Sequence, residues 1–312
     1  MAKTKDLQEI TIHLAIAFDD NYLIPFYALV SSIFHNNPNS TFQFHCITSK
    51  VPETEKAIIK KFIKENNSNI LFYTVAESDI AHFVTLNHWN TSVYYKIFFP
   101  LIIDASVKRI LYLDTDTIVV GAIEALYKTD LQNQPLGAVK DPYVGINPYF
   151  DLHMRKDYFN SGVMLIDMQR WNTLSISEKT IQFLNDHPEK IIYVDQDALN
   201  NVLIEKCRIL PKTYNLMYTH LPKSTSKKYL KQYLQEITII HFTLSRPWSF
   251  LCANRYRYLY KYYLYQSPKR KHNHIQDFSF SKLFPYFRMR LKELYNDTAF
   301  LQNAWRTFKK IL

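Results

Sequence analysis

The sequence predicts an α/β protein with a mostly parallel central sheet and a small helical extension at its C-terminal end. The first observation is that strand-like and helix-like segments alternate over residues 10–75, in the order β-α-β-α-β. This order is typical of parallel sheets that bind ligands at the carboxyl ends of their strands. The second observation is a change of composition near residue 250, where the chain becomes basic and aromatic. We therefore expect two parts, residues 1–250 and 251–312.

The first 75 residues predict three strands and two helices. The segment ITIHLAIAF is apolar and β-branched and ends abruptly at Asp19-Asp20-Asn21, as a buried strand does. The segment PETEKAIIKKFIKENN begins with proline and acidic residues and ends in asparagine, which is typical of a helix. The predicted strands are residues 10–18, 41–48 and 70–75, and the predicted helices are residues 23–36 and 52–67.

The alternation continues through the rest of the chain. A helix over residues 92–103 leads into RILYLDTDTIVV, residues 109–120, which we interpret as a further central strand. The later predicted strands are residues 136–141, 158–167, 207–211 and 237–243, and the later predicted helices are residues 176–187 and 195–205. Residues 256–265 are aromatic and basic, and residues 281–312 predict one or two basic amphipathic helices.

Composition and charge exclude several classes of protein. The chain has only 4 Gly in 312 residues, and they form no glycine-rich phosphate cradle. Its 3 Cys form no Cys-x-x-Cys pair, which suits a reducing compartment. The N-terminus has no apolar signal core, and we expect a cytosolic protein. The formal net charge is +10, and residues 253–312 carry that whole excess, with 13 basic and 3 acidic side chains.

Two carboxylates, Asp114 and Asp116, interrupt the apolar segment 109–120. At the end of a strand this spacing places both on one side, where their repulsion raises one pKa unless they share a cation. Hard oxygen ligands of this kind suit Mg²⁺ or Mn²⁺. A solvated turn is the alternative, although apolar residues on both sides favour the metal site. A phosphatase nucleophile is a third interpretation, but such a motif normally follows the first strand of a chain.

A series of ordered motifs across residues 10–250 resembles glycosyltransferase family 8. They are the Tyr-x-basic helix with (K/R)-ILYLD-x-D-x-(I/V)-V, then LGAVKD, YFNSGVMLIDMQRW, VDQDALNNVL and IIHFT…RPW, with AIAFDDNY at the start. The tail is similar in composition to that of the bacterial lipopolysaccharide core enzymes of this family. The resemblance implies a Rossmann-like, nucleotide-sugar-binding domain of the GT-A type, a UDP-sugar donor and transfer with retention of anomeric configuration.

The resemblance assigns expected roles to individual residues. The divalent cation, Mn²⁺ or else Mg²⁺, is expected on Asp114, Asp116 and His241. Side chains near the transferred sugar and its anomeric carbon, treated as catalytic candidates, are Asp141, Asp195 and Gln196. The expected contacts to the nucleotide and the sugar are Ala17, Asp19, Asn21, Lys96, Thr115, Asn160, Ser161 and Arg246, together with the two aspartates of the metal site. Gly162 is expected to allow a close backbone approach.

The chain departs from the family pattern at two places. Lys96 stands where the family usually has arginine, so a point charge replaces a bidentate donor. The loop HFTLSRPW is one residue shorter than its counterpart in the family, lacks the glycine and carries Arg246 in the lysine position. Arg246 remains a suitable cation for a diphosphate, and the path of this loop is where we expect a difference from the family.

The mechanism expected from these parts is departure of a nucleoside diphosphate stabilised by the metal, Arg246 and Lys96. The sequence does not decide between a protein nucleophile, for which Asp195 and Gln196 are candidates, and attack by the acceptor hydroxyl on the same face. Nor does it specify glucose or galactose as the donor sugar.

The basic tail has three interpretations: a solvated helical face, a nucleic-acid site or an anionic membrane surface. No nucleic-acid-binding motif accompanies it, and we expect no nucleic-acid partner. Leu301, Trp305, Phe308 and Ile311, interleaved with basic residues, suit a helix at a membrane interface. We therefore expect a peripheral enzyme on the cytoplasmic face of the inner membrane that acts on a lipid-linked oligosaccharide. The alternatives are a protein or other glycan acceptor, or a sugar-nucleotide or glycan binder with weak catalysis.

Overall fold

The computed structural model describes residues 10–84, 91–142, 156–221, 225–272 and 275–303. Three residues of the expected membrane segment, Trp305, Phe308 and Ile311, lie outside these ranges, while Leu301 lies within them. The fold is a mixed α/β structure with a seven-stranded sheet and a separate three-stranded sheet.

The seven-stranded sheet confirms the predicted fold class. In chain order its strands are β1 (Ile12–Asp19), β2 (Phe42–Ser49), β3 (Asn69–Tyr73), β4 (Arg109–Leu113), β6 (Leu136–Lys140), β7 (Phe159–Asp167) and β8 (Cys207–Leu210). Their spatial order is β3-β2-β1-β4-β7-β6-β8. Strand β7 is antiparallel to both of its neighbours, and the other pairs are parallel. The carboxyl ends of β1 and β4 therefore lie beside the beginning of β7.

Residues 109–120 are two strands in different sheets, which corrects the single central strand expected from the sequence. After β4 the chain turns at Asp114, whose carbonyl oxygen accepts hydrogen bonds from Thr117 N at 3.1 Å and Thr117 Oγ1 at 2.7 Å. Strand β5 (Thr117–Val119) then pairs antiparallel with β10 (Ile239–His241), which also pairs parallel with β9 (Leu216–Met217). Because of this turn and the pairing of β5 with β10, the end of β10 lies close to the end of β4.

The helices expected over residues 23–36, 52–67, 176–187 and 195–205 are present, and three short helices that the sequence does not predict lie at residues 124–127, 168–173 and 227–233. They are α1 (Leu23–Asn36), α2 (Glu53–Glu65), α3 (Phe99–Ile102), α4 (Glu124–Tyr127), α5 (Met168–Thr173), α6 (Ile176–Asp186), α7 (Val194–Val202), α8 (Lys227–Tyr233), α9 (Arg257–Tyr265) and α10 (Leu283–Asp297). The single helix expected over residues 92–103 is a 3-10 helix, Thr91–Ile97, followed by the short α3. Pro100 explains the break, because it has no backbone N–H to donate to the preceding turn.

Hydrophobic cores cover both faces of the large sheet. The first core contains α1, α2 and the three-stranded sheet, and the second contains the 3-10 helix, α6 and α7. Helix α9 also packs into the first core through Leu259, Tyr260, Tyr263 and Leu264. Asn36 Nδ2 on α1 donates a 2.8 Å hydrogen bond to Tyr263 Oη. Residues 257–265 thus share the main core, and the domain boundary at residue 250 stays a prediction.

Helix α10 confirms a helix in the basic tail and lies on the surface with no buried residue. Ion pairs attach it to the beginning of α9 and to the residues just before it. Arg257 forms a double hydrogen bond with Glu293 at 2.8 and 2.9 Å, and Arg255 pairs with Asp297 at 2.6 Å. Among the described residues, no helix combines the length and the apolar character needed to cross a bilayer.

Candidate active site

Most of the predicted site residues meet where β1, β4 and β10 end and β7 begins. Asp19 is the last residue of β1, Asp114 directly follows β4, and His241 is the last residue of β10. Because β7 runs antiparallel to β4, its early residues Asn160 and Ser161 lie at the same edge. The side chains thus come from distant parts of the chain, and the strand order of the large sheet together with the pairing of β5 and β10 brings them together.

Asp114, Asp116 and His241 form a cluster with the chemistry of a divalent cation site. One ligand atom from each lies within 4.8 Å of the others. His241 Nε2 lies 3.0 Å from Asp116 Oδ1 and 3.9 Å from Asp114 Oδ2. The backbone fixes both aspartates, since Asp114 N donates to Gly162 O at 2.8 Å and Phe242 N donates to Asp116 O at 2.9 Å. Two hard carboxylates and an imidazole fit Mn²⁺ or Mg²⁺.

Charge within the cluster agrees with that chemistry. Burial disfavours the charged form of Asp116, but His241, Arg246 and Lys96 outweigh it and lower its pKa to about 2. Burial likewise opposes the charged form of His241, and the two aspartates overcome it and raise its pKa. In the absence of a cation, His241 therefore favours a proton that a bound metal would replace.

Gly162 is required because two members of the metal cluster pack against its Cα. A Cβ at this position would lie 2.7 Å from Asp114 Oδ2 and 3.0 Å from His241 Nδ1, and closer still to His241 Cε1. Ordinary contacts begin near 3.4 Å. The close approach at this glycine is thus made by the side chains of Asp114 and His241.

Lys96 is buried among carboxylates. Its Nζ lies 3.2 Å from Asp114 Oδ1 and 2.9 Å from Asp195 Oδ2, and 5.1 Å from the centre of the Tyr112 ring. Burial opposes its charge, but the two carboxylates raise the pKa of Lys96 above its ordinary value. Tyr112 Oη also donates to Asp114 Oδ1 at 2.6 Å. Lys96 thus joins the metal side of the site to the residues expected near the sugar.

The residues expected near the transferred sugar form a connected hydrogen-bond network. Gln196 Oε1 accepts from Asn160 Nδ2 at 3.0 Å and from Ser161 N at 3.1 Å. Gln196 Nε2 donates to Asp141 Oδ2 at 3.2 Å, and Asn160 Nδ2 lies 3.4 Å from the same oxygen. Ser161 Oγ donates to Asp195 Oδ2 at 2.7 Å. The structure therefore brings together all five residues predicted for this side.

These contacts bear on the two candidate nucleophiles. Gln196 Oε1 already accepts two hydrogen bonds, which occupy both of its lone pairs. Asp195 Oδ2 accepts from Ser161 and contacts Lys96, and burial raises the pKa of Asp195 despite that lysine. In this arrangement both side chains are suited to orienting a substrate, and the choice of nucleophile stays open.

Val194, the residue before Asp195, has a strained backbone. Its φ is 38°, in the left-handed region that β-branched residues avoid. The buried Asp197 holds this turn, since its Oδ2 accepts from Ile192 N at 2.7 Å and Tyr193 N at 2.8 Å. Asp197 Oδ1 accepts from Tyr158 Oη at 2.5 Å. Asp197 therefore supports the backbone that aims Asp195 and Gln196.

The predicted nucleotide side lies around the end of β1. Asp19 is buried and its Oδ1 accepts from Tyr22 N at 3.1 Å, while the exposed Asn21 donates to Oδ2 at 3.4 Å. Arg246 lies over the Tyr22 ring, with Cζ 5.6 Å from its centre. Burial raises the pKa of Tyr22 to about 12, in spite of Arg246. Two further predicted residues are nearby in sequence: Ala17 is half-buried on β1, and Thr115 is buried between the two aspartates.

The shortened loop after β10 takes an unusual path. Leu244, next to Thr243, has φ 61°, a conformation that favours glycine, and its side chain is 72% exposed. Ser245 anchors the loop, because its Oγ accepts from Ala253 N at 2.7 Å and Asn254 N at 3.1 Å. The loop thus keeps a left-handed residue without glycine and leaves Arg246 half-buried beside Tyr22.

Three residues of the site had no role assigned to them from the sequence. Tyr22 and Tyr112 lie within the segments AIAFDDNY and RILYLD, but neither was expected to contact the site. Asn215 lies in a short segment before β9, yet it is fully buried and contacts His241 Nδ1 at 3.0 Å. A lone asparagine has no characteristic spacing, so only the tertiary structure could assign it to the site.

Comparison with known proteins agrees with this geometry. The model of the family "Glycosyl transferase family 8" matches residues 13–252. A lipopolysaccharide 1,2-glucosyltransferase of Escherichia coli is 25% identical over 283 residues, covering 85% of this chain and 84% of its own. General stress protein A of Bacillus subtilis is 30% identical over 267 residues, covering 81% of this chain and 93% of its own.

Among solved structures, the fold is similar to that of the galactosyltransferase LgtC in complex with donor and acceptor sugar analogues. The TM-score is 0.71 at 22% identity, over 82% of this chain and 96% of that one. This similarity confirms the GT-A fold. The chain therefore belongs to glycosyltransferase family 8, and the prediction of a hexosyltransferase is confirmed.

Proposed function

We propose that the protein is a metal-dependent retaining glycosyltransferase that moves glucose or galactose from a UDP-sugar to a hydroxyl group of a lipopolysaccharide-type acceptor. The observation that supports it most directly is the cluster of Asp114, Asp116 and His241 at the carboxyl edge of the sheet. Ligands bind at this edge in open α/β sheets. A hard divalent cation held by these three residues would neutralise the negative charge of a bound diphosphate.

This proposal assigns the cation, the diphosphate and the uridine to particular residues of the chain. Asp114, Asp116 and His241 hold the cation, which when bound neutralises the charge that develops on the departing diphosphate. Arg246 adds a positive charge at the mouth of the site, on the side of Tyr22. Asp19 and Asn21 are in place to contact the uridine, with Ala17 and Thr115 beside it. These roles follow the family resemblance and remain proposals.

Orientation of the sugar is assigned to the network around Gln196. Asp141 and Asp195 present carboxylate oxygens that can accept sugar hydroxyl groups, while Asn160 and Ser161 fix Gln196. Because this network is almost fully buried, its geometry is set before the substrate binds. Lys96 keeps Asp195 close to the metal side. In this proposal these residues position the sugar for transfer with retention of its anomeric configuration.

The acceptor class rests on the relatives. The Escherichia coli protein is named a lipopolysaccharide 1,2-glucosyltransferase, and a 24% identical protein of Salmonella typhimurium is named a lipopolysaccharide 1,3-galactosyltransferase. The relatives thus include both donor sugars. We infer a hexose donor and a lipid-linked oligosaccharide acceptor for this chain.

Helix α10 supports a location at a membrane surface. Phe284, Phe287, Leu291 and Leu294 follow one another at spacings of three and four residues, and all are exposed. Such a row forms one apolar stripe along a helix. The tail's basic side chains supply the charge that attracts anionic lipid, at about 1 kcal/mol each near the surface. We infer a peripheral enzyme on the cytoplasmic face of the inner membrane, held there by residues 251–312.

Donor hydrolysis tests the catalytic part of this proposal. UDP-glucose and UDP-galactose are each incubated with the protein and Mn²⁺, Mg²⁺ or EDTA, and UDP release is measured. We expect release with one donor that requires the cation and is lost in Asp116→Asn. Binding of a donor without turnover, in the presence of every acceptor tested, would instead support a sugar-nucleotide binder.

Vesicle co-sedimentation tests the membrane part separately. The variants Leu291→Ser and Leu71→Ser replace exposed leucines, on α10 and on β3 at the sheet edge. We expect Leu291→Ser to bind anionic vesicles several-fold more weakly than the unmodified protein, and Leu71→Ser to bind equally well. Equal binding by both variants would exclude the α10 stripe as the membrane contact.

A further inference from the structure

Besides the link through Lys96, a chain of side-chain hydrogen bonds connects the cluster of Asp114, Asp116 and His241 to the residues expected near the sugar. It runs from His241 through Asn215, Asn160 and Gln196 to Asp141. On the metal side, His241 Nδ1 lies 3.0 Å from Asn215 Oδ1, and Asn215 Nδ2 donates to Asn160 Oδ1 at 2.9 Å. On the sugar side, Asn160 Nδ2 donates to Gln196 Oε1 at 3.0 Å, and Gln196 Nε2 donates to Asp141 Oδ2 at 3.2 Å. Asn215, the central link on the metal side, is fully buried.

The direction of this chain is fixed by two backbone N–H groups. Gly162 N donates to Asn160 Oδ1 at 3.0 Å, and Ser161 N donates to Gln196 Oε1 at 3.1 Å. A backbone N–H can only donate, so each of these side-chain atoms is the amide oxygen. The orientations of Asn160 and Gln196 are therefore determined by the main chain of β7.

The orientation of Asn215 follows from that of Asn160. Because Asn160 presents an oxygen, Asn215 must present its NH₂ group to it, and its own Oδ1 then faces His241. An oxygen in that place accepts a hydrogen bond, so Nδ1 of His241 must carry a proton. In the neutral imidazole, Nε2 is then the nitrogen with the free lone pair, and Nε2 is the atom that faces Asp116.

We propose that Asn215 is a positioning residue that fixes the Nδ1-protonated tautomer of His241 and so reserves its Nε2 lone pair for the cation. This inference rests on the proposed metal-dependent function. A partner on the second nitrogen of a metal-binding histidine orients the ring, and its removal typically lowers metal affinity by about 10- to 100-fold. Asn215 also donates to Asn160, so the same amide contacts both the expected metal ligand and the sugar-side network.

Two substitutions separate these effects of Asn215. Asn215→Leu keeps the approximate volume and removes both hydrogen bonds. Asn215→Asp keeps an acceptor for His241 Nδ1 but places an oxygen against Asn160 Oδ1. We expect Asn215→Leu to weaken Mn²⁺ binding by about 10- to 100-fold. We expect Asn215→Asp to retain the Mn²⁺ affinity while donor turnover falls, because two acceptor oxygens then face each other where Asn215 Nδ2 donated to Asn160 Oδ1.

Asn37→Leu is a matched control, because Asn37 is another buried asparagine with hydrogen bonds in both directions. Its Nδ2 donates to Ile33 O at 3.0 Å and its Oδ1 accepts from Ile123 N at 2.9 Å. Neither partner belongs to the candidate active site. Asn37→Leu should lower thermal stability without changing Mn²⁺ affinity. Free Mn²⁺ is measured by electron paramagnetic resonance, with the melting temperature of each variant recorded alongside.

A second measurement applies to the unmodified protein and does not depend on the folding of any variant. Nitrogen chemical shifts of ¹⁵N-histidine-labelled protein with Mg²⁺ report which ring nitrogen of His241 carries the proton. We expect a protonated Nδ1. A proton on Nε2 instead would overturn the role assigned to Asn215, and so would a folded Asn215→Leu variant that binds Mn²⁺ as tightly as the unmodified protein does. Neither result would contradict the metal-dependent function. Failure of the unmodified protein to bind Mn²⁺ overturns the metal-dependent function, and this assignment with it.

Discussion

Replacement of Gly162 by alanine should disable the metal cluster while leaving the sheet intact. Gly162 lies in the central strand β7 and does not have a positive φ, so alanine meets no backbone strain there. The added Cβ would lie 2.7 Å from Asp114 Oδ2, whereas ordinary contacts begin near 3.4 Å. The carboxylate would have to move by about 0.7 Å, the difference between these distances, and the His241 ring by more, since close-packed interiors offer no free space.

A displacement of that size is large for a metal site. Misplacement by about 1 Å at a reacting centre costs on the order of 100-fold in rate, and overpacking of a core costs about 1–3 kcal/mol of stability. We therefore expect Gly162→Ala to fold with a lowered melting temperature and to bind Mn²⁺ at least about 10-fold more weakly. Mn²⁺ affinity is measured by electron paramagnetic resonance, and UDP release from the preferred donor gives the rate.

Gly137→Ala is the matched control, because Gly137 lies in the neighbouring strand β6. Its Cβ would also be crowded, at 2.6 Å from Leu131 Cδ2, but that atom is the end of a flexible apolar side chain. The control should lose stability and keep its Mn²⁺ affinity. If Gly162→Ala binds Mn²⁺ as tightly as Gly137→Ala does, the packing argument for the metal cluster is wrong.

Three other changes have expected outcomes. Lys96→Met leaves Asp114 and Asp195 without their buried cation and should lower the free energy of unfolding in urea by about 3–5 kcal/mol; an unchanged value would mean that the lysine is dispensable for folding. Glu293→Gln removes the ion pair and one of the two hydrogen bonds with Arg257, so proteolysis within α10 should become faster while donor hydrolysis stays the same. Protection equal to that of the unmodified protein would show that other contacts hold the helix. Burial and the neighbouring His13 lower the pKa of His45 to about 4, whereas an ordinary histidine has a pKa of 6.5. The unfolded chain therefore binds a proton that the folded protein does not, and stability should fall as pH falls from about 6.5 to about 4. Thermal unfolding at pH 7 and pH 5 checks this, and His45→Gln should show a smaller change; an equal change would assign the effect to other groups.

The element order could be predicted because it depends on local patterns. The apolar segments that became β1, β2 and β3 end at polar residues, and α2 begins and ends with recognisable signals. Family 8 membership was likewise predicted from ordered motifs, and the family match over residues 13–252 confirms it. The roles of individual site residues were assigned by that resemblance, and they stay predictions.

Other features depend on contacts between distant segments. The division of residues 109–120 into β4 and β5 follows from pairing of β5 with β10, about 120 residues later, which no local pattern reports. The packing of α9 into the main core depends on α1, which lies more than 200 residues earlier. Hydrophobic periodicity indicates that one face of a helix or strand is buried, but it does not identify the segment that packs against that face.

The sequence by itself determined the alternating α/β layout and the family, and it identified Asp114 and Asp116 as a candidate cation site, because each of these depends on neighbouring residues. Only the tertiary structure decided that Lys96 is enclosed by Asp114 and Asp195, and that Asn215 links His241 to Asn160. The physical reason is that burial and hydrogen-bond direction are properties of three-dimensional neighbours. A lone asparagine or lysine acquires its role here only once the strands have brought its partners within about 3 Å.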